Sequence, residues 1–309
     1  MPSTEYQRVI LADQGRNRAL AAALRALVRA GDTVVDIGAG SGFLSILARR
    51  LGAKRCFCIE RDEEAARLCE EMIRKNNVTG CTVIHGSSFD VRGIPLADLV
   101  LSETLGNFAY EENVIEILRD ARRFLKTDDG RMCPQSLAQW VAPVVTDRQW
   151  AELASWDRTG FDMDWEPGRA RTMNNVYVRK IAIGDLPGGD AFREWDRVDF
   201  RGKNASVRKA RVEWQADRPR TVYGFALFWV CTLAPGIEIS TSPAAPETHW
   251  QQIFLPLADP VTLARGEHFA LSIVSDSRIA IKINVQWRVE RISDCGKVLA
   301  VQAMDMRRG

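Results

Sequence analysis

Apolar positions recur at helical spacing in the first part of the chain and at strand spacing in the second. Leu20, Ala23, Leu24, Leu27 and Val28 fall three and four apart, which predicts a helix over 6–30 that Gly31 ends. Short β-branched runs then alternate with amphipathic stretches. The pattern predicts strands at 33–36, 55–59, 81–85 and 97–101, and helices at 43–51, 62–76 and 112–125. Such alternation builds a parallel sheet with helices on both faces, an α/β Rossmann-like unit. After about Gln139 the helical period fades. Strand-like runs take over at 176–183, 205–214, 222–231, 269–274, 279–289 and 298–304. In 279–289, Ile279, Ile281, Ile283, Val285, Trp287 and Val289 alternate with polar or small residues, the pattern of one half-buried strand. The expected division is a Rossmann-like domain over 1–141 and an antiparallel, β-barrel-like domain over 142–309.

The glycines at the first strand's end add chemistry. In VVDIGAGSG (34–42), an acid closes a β-branched run, and Gly38, Gly40 and Gly42 alternate with small residues before an apolar helix. A tight glycine turn between strand and helix lets a ligand approach the backbone, where any side chain would hold it off. Glu60 ends the second predicted strand, 24 residues after Asp36, where an acid can accept both ribose hydroxyls of a nucleoside. A dinucleotide fingerprint would place glycine at 43, and the chain has Phe43. The D-x-G-x-G-x-G pattern instead resembles the class I S-adenosylmethionine methyltransferases, whose ligand has no pyrophosphate to cradle.

Charge and composition narrow the field. Lys+Arg 42 against Asp+Glu 40 gives a near-neutral chain without the basic footprint of a nucleic-acid binder. The cluster Arg201, Lys203, Arg208, Lys209 and Arg211 is interspersed with acids and reads as a solvated sheet face. No apolar run approaches the ~20 residues of a membrane span, and no signal-peptide pattern opens the chain. Seven scattered cysteines read as reduced, buried thiols of a cytoplasmic protein, and the C-x-C of Cys56 and Cys58 is too tight for zinc.

A second group of acids lies at the same sheet edge. Glu103 ends the apolar strand Leu99, Val100, Leu101, and Glu111 and Glu112 follow within ten residues. Acids in a helix's first turn are common. Two carboxylates converging beside a sulfonium cofactor, however, suit a planar cation, and a guanidinium matches carboxylates bidentately.

Here SETLGNFAYEEN (102–113) resembles the double-E loop of the protein arginine methyltransferases, in which two glutamates hold the substrate guanidinium. Glu103 matches the first. Glu112 matches the second without a gap, Glu111 with a one-residue shift. ILADQGR (10–16) resembles the family's M-L-x-D-x-x-R helix, which implies Arg16 as partner of the cofactor carboxylate. STSPAAPETHWQQIF (240–254) resembles its THW loop, giving Thr248, His249 and Trp250. WDRTGFDM (156–163) resembles the segment leading into the dimerisation arm, here 157–183. Four motifs in order cover nearly the whole chain.

The resemblance implies S-adenosyl-L-methionine as cofactor, held by Arg16, Asp36, Gly38, Gly40 and Glu60. Ser88 or Phe89 stands where the family contacts adenine. It implies Glu103, Glu112 and His249 in catalysis, Glu111 and Trp250 at the substrate, no metal, and a homodimer. The acceptor is an arginine-containing protein or peptide, or a free arginine-like metabolite; nucleic acid and membrane are not expected partners. The departures fall at the substrate: Gln7 replaces a histidine and Ile10 a methionine, Thr104 and Leu105 replace Trp and Met, and Tyr6 is the sole aromatic ahead of Ile10. Two alternatives stay open, a methyltransferase of another small nucleophile and a non-catalytic cofactor-binding dimer. A scaffold would have no use for two converging carboxylates. His85 and His268 read as structural.

Overall fold

The computed structural model describes residues 3–309. Two helices, α1 (Ser3–Ala12) and α2 (Gln14–Leu27), lead into strand β1 (Thr33–Ile37). The single helix expected over 6–30 is therefore broken. Asp13 accepts the Arg16 N–H at 2.8 Å and caps α2, so the backbone turns there although the apolar spacing continues.

The α/β unit follows as α3 (Phe43–Arg50), β2 (Arg55–Glu60), α4 (Glu63–Lys75), β3 (Cys81–His85), β4 (Leu99–Ser102), α5 (Val114–Ala121) and β5 (Arg131–Cys133). All five strands are parallel, in the order β3-β2-β1-β4-β5. β1 and β4 are buried on both faces, as a helix-covered parallel sheet requires. Asp36, Glu60 and Ser102–Glu103 thus lie at the carboxyl ends of three adjacent strands. The helix expected over 112–125 begins two residues later: Asn113, at φ 60°, interrupts the chain, and Glu111 and Glu112 belong to the preceding turn.

The remainder is antiparallel. β6 (Ser136–Val144) leads into α6 (Arg148–Leu153), α7 (Glu166–Met173), β7 (Tyr177–Arg179) and β8 (Arg193–Asp199). Then follow β9 (Val207–Gln215), β10 (Arg220–Ala234), β11 (Ile237–Ser240), β12 (Gln252–Leu263), β13 (His268–Asp276), β14 (Asn284–Ile292) and β15 (Val298–Asp305). They form one sheet ordered β7-β12-β10-β6-β8, with β11 beside β10, and another ordered β15-β14-β13-β9. The sheets face each other through a ring cluster in which Trp214 lies 5.7 Å from Phe225 and 5.1 Å from Phe269. The chain leaves the parallel sheet at Cys133 and joins the antiparallel one at Ser136, so position 141/142 falls inside β6.

Two strand expectations need correction. The strand expected over 279–289 starts only at Asn284. Residues before it form a tight turn, with Ile281 N–H bonded to Arg278 O at 2.8 Å, Lys282 at φ 65°, and Ile279 exposed. Val285, Trp287 and Val289 keep the buried half of the alternation. The run at 176–183 yields only three residues of strand. Conversely, β12 is hidden in the sequence by Pro256 and Pro260. β7 pairs only with Gln252, Ile253 and Phe254, so both prolines sit where no edge-side ladder bond is lost.

Candidate functional site

The glycine turn is built for close approach. Gly38, Gly40 and Gly42 all have positive φ. A Cβ at Gly38 would stand 2.8 Å from Thr104, and one at Gly40 2.7 Å from the Gln7 amide. Backbone thus faces the space between the turn, α1 and the loop after β4. Glu60 accepts the Gly40 N–H at 2.9 Å and the Asp62 N–H at 2.9 Å. Gln7 accepts the Ser41 N–H at 3.1 Å. Asp36 lies beneath the turn, fully buried, and accepts from the Ser45 hydroxyl at 2.8 Å. Burial, reinforced by nearby Glu60, pushes its carboxyl up to about 7. Asp36 therefore supports the turn from below. Ser88 is buried and Phe89 half-buried past the end of β3, and the Ser88 carbonyl accepts from Arg123 at 2.5 Å.

The acids after β4 divide by role. Glu103 is buried and its Oε2 accepts from Arg16, through Nε at 2.7 Å and through Nη2. The residue expected to reach a cofactor carboxylate is thus also the counter-ion of an expected clamp acid. Glu111 turns into its own loop: its Oε1 accepts the Asn107 N–H at 2.9 Å, and a Cβ at Gly106 would overlap it at 2.1 Å. Glu111 staples the turn. Glu112 is open along its residue surface, but protein crowds its carboxyl end. That crowding, with the charges of Glu103 and Glu111, raises its pKa, opposed by a hydrogen bond from Tyr6. The same surroundings push the Tyr6 phenol up to about 12, burial first and Glu112 next. The structure therefore brings Glu103, Glu112 and Tyr6 together, with Glu111 near enough for its charge to act on Glu112 and Tyr6 while its Oε1 holds the loop.

The β domain holds this loop in place. Trp250, on the segment entering β12, is buried and donates from Nε1 to Leu105 O at 2.7 Å. Trp229 of β10 donates to Gly106 O at 3.1 Å, and the Gln251 N–H reaches Asn107 Oδ1 at 2.8 Å. Tyr110 donates to Asp196 of β8 at 2.7 Å. His249 meets Asp13 twice on the same oxygen, through its backbone N–H at 2.8 Å and its Nδ1 at 3.0 Å. Burial pushes Asp13 up, but the Arg16 N–H, followed by the two His249 bonds, holds it below its ordinary value. An ionised Asp13 accepts from Nδ1 and so fixes the orientation of the ring. Asp13 and Trp229 are additions to the residues read from the sequence, and Gln7, read there only as a departure from the family pattern, lies on the glycine turn. Asp13 carried a signal, a cap residue three before Arg16; Trp229 carried none, because only the fold brings β10 to the loop.

A Rossmann-like sheet with a glycine cradle, joined to an antiparallel barrel that pins an acidic loop at the cradle's edge, defines a two-domain group-transfer architecture of the methyltransferase type. Residues 19–132 match the family described as ribosomal protein L11 methyltransferase (PrmA), and residues 137–291 match the arginine methyltransferase oligomerization subdomain. The chain belongs to the arginine methyltransferase family. It is 29% identical over 276 residues to the arginine N(omega)-methyltransferase of Streptomyces achromogenes subsp. streptozoticus, covering 85% of this chain and 74% of that protein. It is 26% identical over 283 residues to the histone-arginine methyltransferase CARMER of Anopheles gambiae, covering 83% of this chain but only 43% of that one. The chain thus spans less than half the length of the mosquito protein. Among solved structures, the Trypanosoma brucei PRMT1 enzyme-prozyme complex with AdoHcy shares the fold at TM-score 0.82 and 20% identity, covering 98% of both chains. Arabidopsis thaliana protein arginine methyltransferase 10 does so at 0.81 and 19%, covering 98% and 97%.

Proposed function

We propose that this chain transfers a methyl group from S-adenosylmethionine to a guanidino nitrogen of arginine, free or within a peptide. The observation that carries the reading is the convergence of Glu103 and Glu112 at the sheet edge, with Arg16 bonded to Glu103 and capped by Asp13, which holds His249. The cofactor reading is supported by a turn of three positive-φ glycines, with Glu60 at the end of β2 bonded to the Gly40 N–H and Arg16 bonded to Glu103. When bound, S-adenosylmethionine supplies an electrophilic methyl on a sulfonium.

The chain's own residues do the rest. Two cations repel, so the acceptor's charge must be offset before the reactants meet. Among the described residues Glu112 forms no salt bridge, the charge of Arg61 alone favouring its ionised form, and its raised pKa is what a carboxylate waiting for a closer cation shows. Glu103 shares its charge with Arg16 and fixes the guanidinium plane from the other side. Arginine's pKa exceeds ~12, so a proton must leave during or after transfer. His249 Nε2 accepts it, with the Asp13 carboxylate stabilising the imidazolium.

For assembly, we propose a homodimer formed through the arm at 157–183. Phe161 and Met163 stand exposed at its tip, while Arg169 anchors its base to Asp157 and Asp259. The cofactor half ends with β5 at Cys133 and the acceptor half begins with β6 at Ser136, ahead of the expected limit at 141/142. We place the enzyme in the cytoplasm; among the described residues no helix is long and apolar enough to cross a membrane. The test is incubation with methyl-labelled cofactor and, separately, free arginine and arginine peptides. Methylarginine in the hydrolysate supports the reading; label on no guanidino acceptor overturns it.

A further inference from the structure

Four of the seven cysteines converge under the glycine turn, and the mechanism uses none of them. Cys56 and Cys58 alternate along β2 and leave the sheet on one face. Both lie against Ser45 of α3: Cys56 Sγ is 3.6 Å from its carbonyl, Cys58 Sγ 3.1 Å from its hydroxyl. Cys81 on β3 is the register partner of Cys56. Cys69 of α4 closes the cluster, its Sγ 2.8 Å from where a Cβ of Gly42 would stand. The charge of Cys81 acts on Cys56, and that of Cys69 on Cys58, so the four thiols are neighbours. Among the described residues no group of His, Cys, Asp and Glu is arranged to hold a metal ion.

We propose that Cys81 and Cys56 form a peroxide-sensitive dithiol whose disulfide loosens the cofactor cradle. The two thiols differ in access: Cys56 is buried and Cys81 half-buried, so oxidant reaches Cys81 first. Cys81 is also the activated one. Neighbouring Cys56 and Cys58 hold its thiol below the ordinary range, and Arg49, packed against Gly80, adds positive charge.

The Cys81 thiolate attacks one peroxide oxygen, an S–O bond forms as the O–O bond breaks, and hydroxide leaves to be protonated to water. Cys56 sulfur then attacks the sulfenic sulfur; the S–S bond forms, the S–O bond breaks, and a second water carries off the Cys56 proton. Two thiols are oxidised and one hydrogen peroxide is reduced to two waters. Register partners on neighbouring strands lie about 4.8 Å apart, inside the Cα range a disulfide accepts. Cys58, two residues along β2, is diagonal to Cys81 and farther away.

Drawing Cys56 sulfur to Cys81 takes it from Ser45 O and disturbs the thiols packed on Ser45 and Gly42. Ser45 is the residue that holds Asp36 beneath the turn. The effect on cofactor affinity rests on the cradle assignment above, whereas formation of the disulfide does not.

The experiment uses the full chain with Cys295→Ser, because Cys295 is exposed and would crosslink copies. Protein treated with hydrogen peroxide is alkylated and peptide-mapped, and S-adenosylhomocysteine affinity is measured by calorimetry before oxidation, after it, and after dithiothreitol. The expected result is a Cys56–Cys81 linked peptide and an affinity loss of about tenfold, about 1.4 kcal/mol, reversed by the reductant. Adding Cys81→Ser removes both effects. The proposal is overturned by absence of that link, by the link with unchanged affinity, or by an equal peroxide-induced loss in the Cys81→Ser protein. A link formed in a protein that binds no S-adenosylhomocysteine before oxidation overturns the cradle assignment, and with it the coupling proposed here.

Discussion

Arg16 alters what a charge-removing change at Glu103 would report. The two side chains form a buried ion pair, so Glu103→Gln strands a guanidinium away from water. Breaking such a pair from one side costs about 3–5 kcal/mol. The expected outcome is a lower melting temperature together with lost methyl transfer, checked by thermal unfolding beside the activity assay; unchanged stability would contradict the pair. Asp36 makes a prediction of opposite kind. Its folded pKa, about 7, lies above the ordinary 3.8, so its protonated form stabilises the fold. That contribution is present below 3.8 and is lost as pH rises through about 7. Asp36→Asn keeps the hydrogen bond to Ser45 and removes the titration. Melting temperatures of the ligand-free proteins should diverge with rising pH, the variant gaining on the wild type; parallel curves would show that Asp36 does not titrate in this window. At this scale the sequence marked Glu103, Glu112 and His249 through their motifs, but not the pairing of Arg16 with Glu103. Ion pairs between residues 87 positions apart leave no local trace.

Among the elements, the loop after β4 has little regular structure of its own and takes its shape from the β domain. Trp250 Nε1 satisfies the Leu105 carbonyl. Trp250→Phe keeps most of the packing but orphans that carbonyl, which costs about 1–3 kcal/mol. Turnover should fall more than cofactor affinity, since the bond lies on the acceptor side; equal losses in both would place Trp250 elsewhere in the mechanism. Strands β1 to β4 were legible because helix-covered strands read as apolar runs bounded by glycine and acid. The β domain was harder to read. β8, REWDRVD, is dense in charge and buries only Trp195 and Val198, so its alternation is thin. The turn before β14 carries isoleucines at the same period as the strand, and only backbone hydrogen bonds separate them.

For the whole molecule, exposed Phe161 and Met163 predict an interface between copies. Phe161→Asp with Met163→Lys should give a monomeric mass by light scattering and reduced activity; a wild-type monomer with full activity would contradict the dimer. The central claim is that a carboxylate at the sheet edge offsets a guanidinium's charge, and Glu112 tests it most directly. It forms no salt bridge among the described residues, with only the charge of Arg61 to offset the crowding of its carboxyl end that raises its pKa, so Glu112→Gln should leave melting temperature unchanged or higher. Glu111→Gln, on the acid that staples the loop, is the control for loop structure. The measurement is initial-rate methylarginine formation with labelled S-adenosylmethionine and saturating arginine acceptor. The account predicts a fall of about a hundredfold or more in Glu112→Gln, a loss of roughly 3 kcal/mol in transition-state stabilisation, with cofactor affinity retained. Wild-type turnover in Glu112→Gln would contradict it.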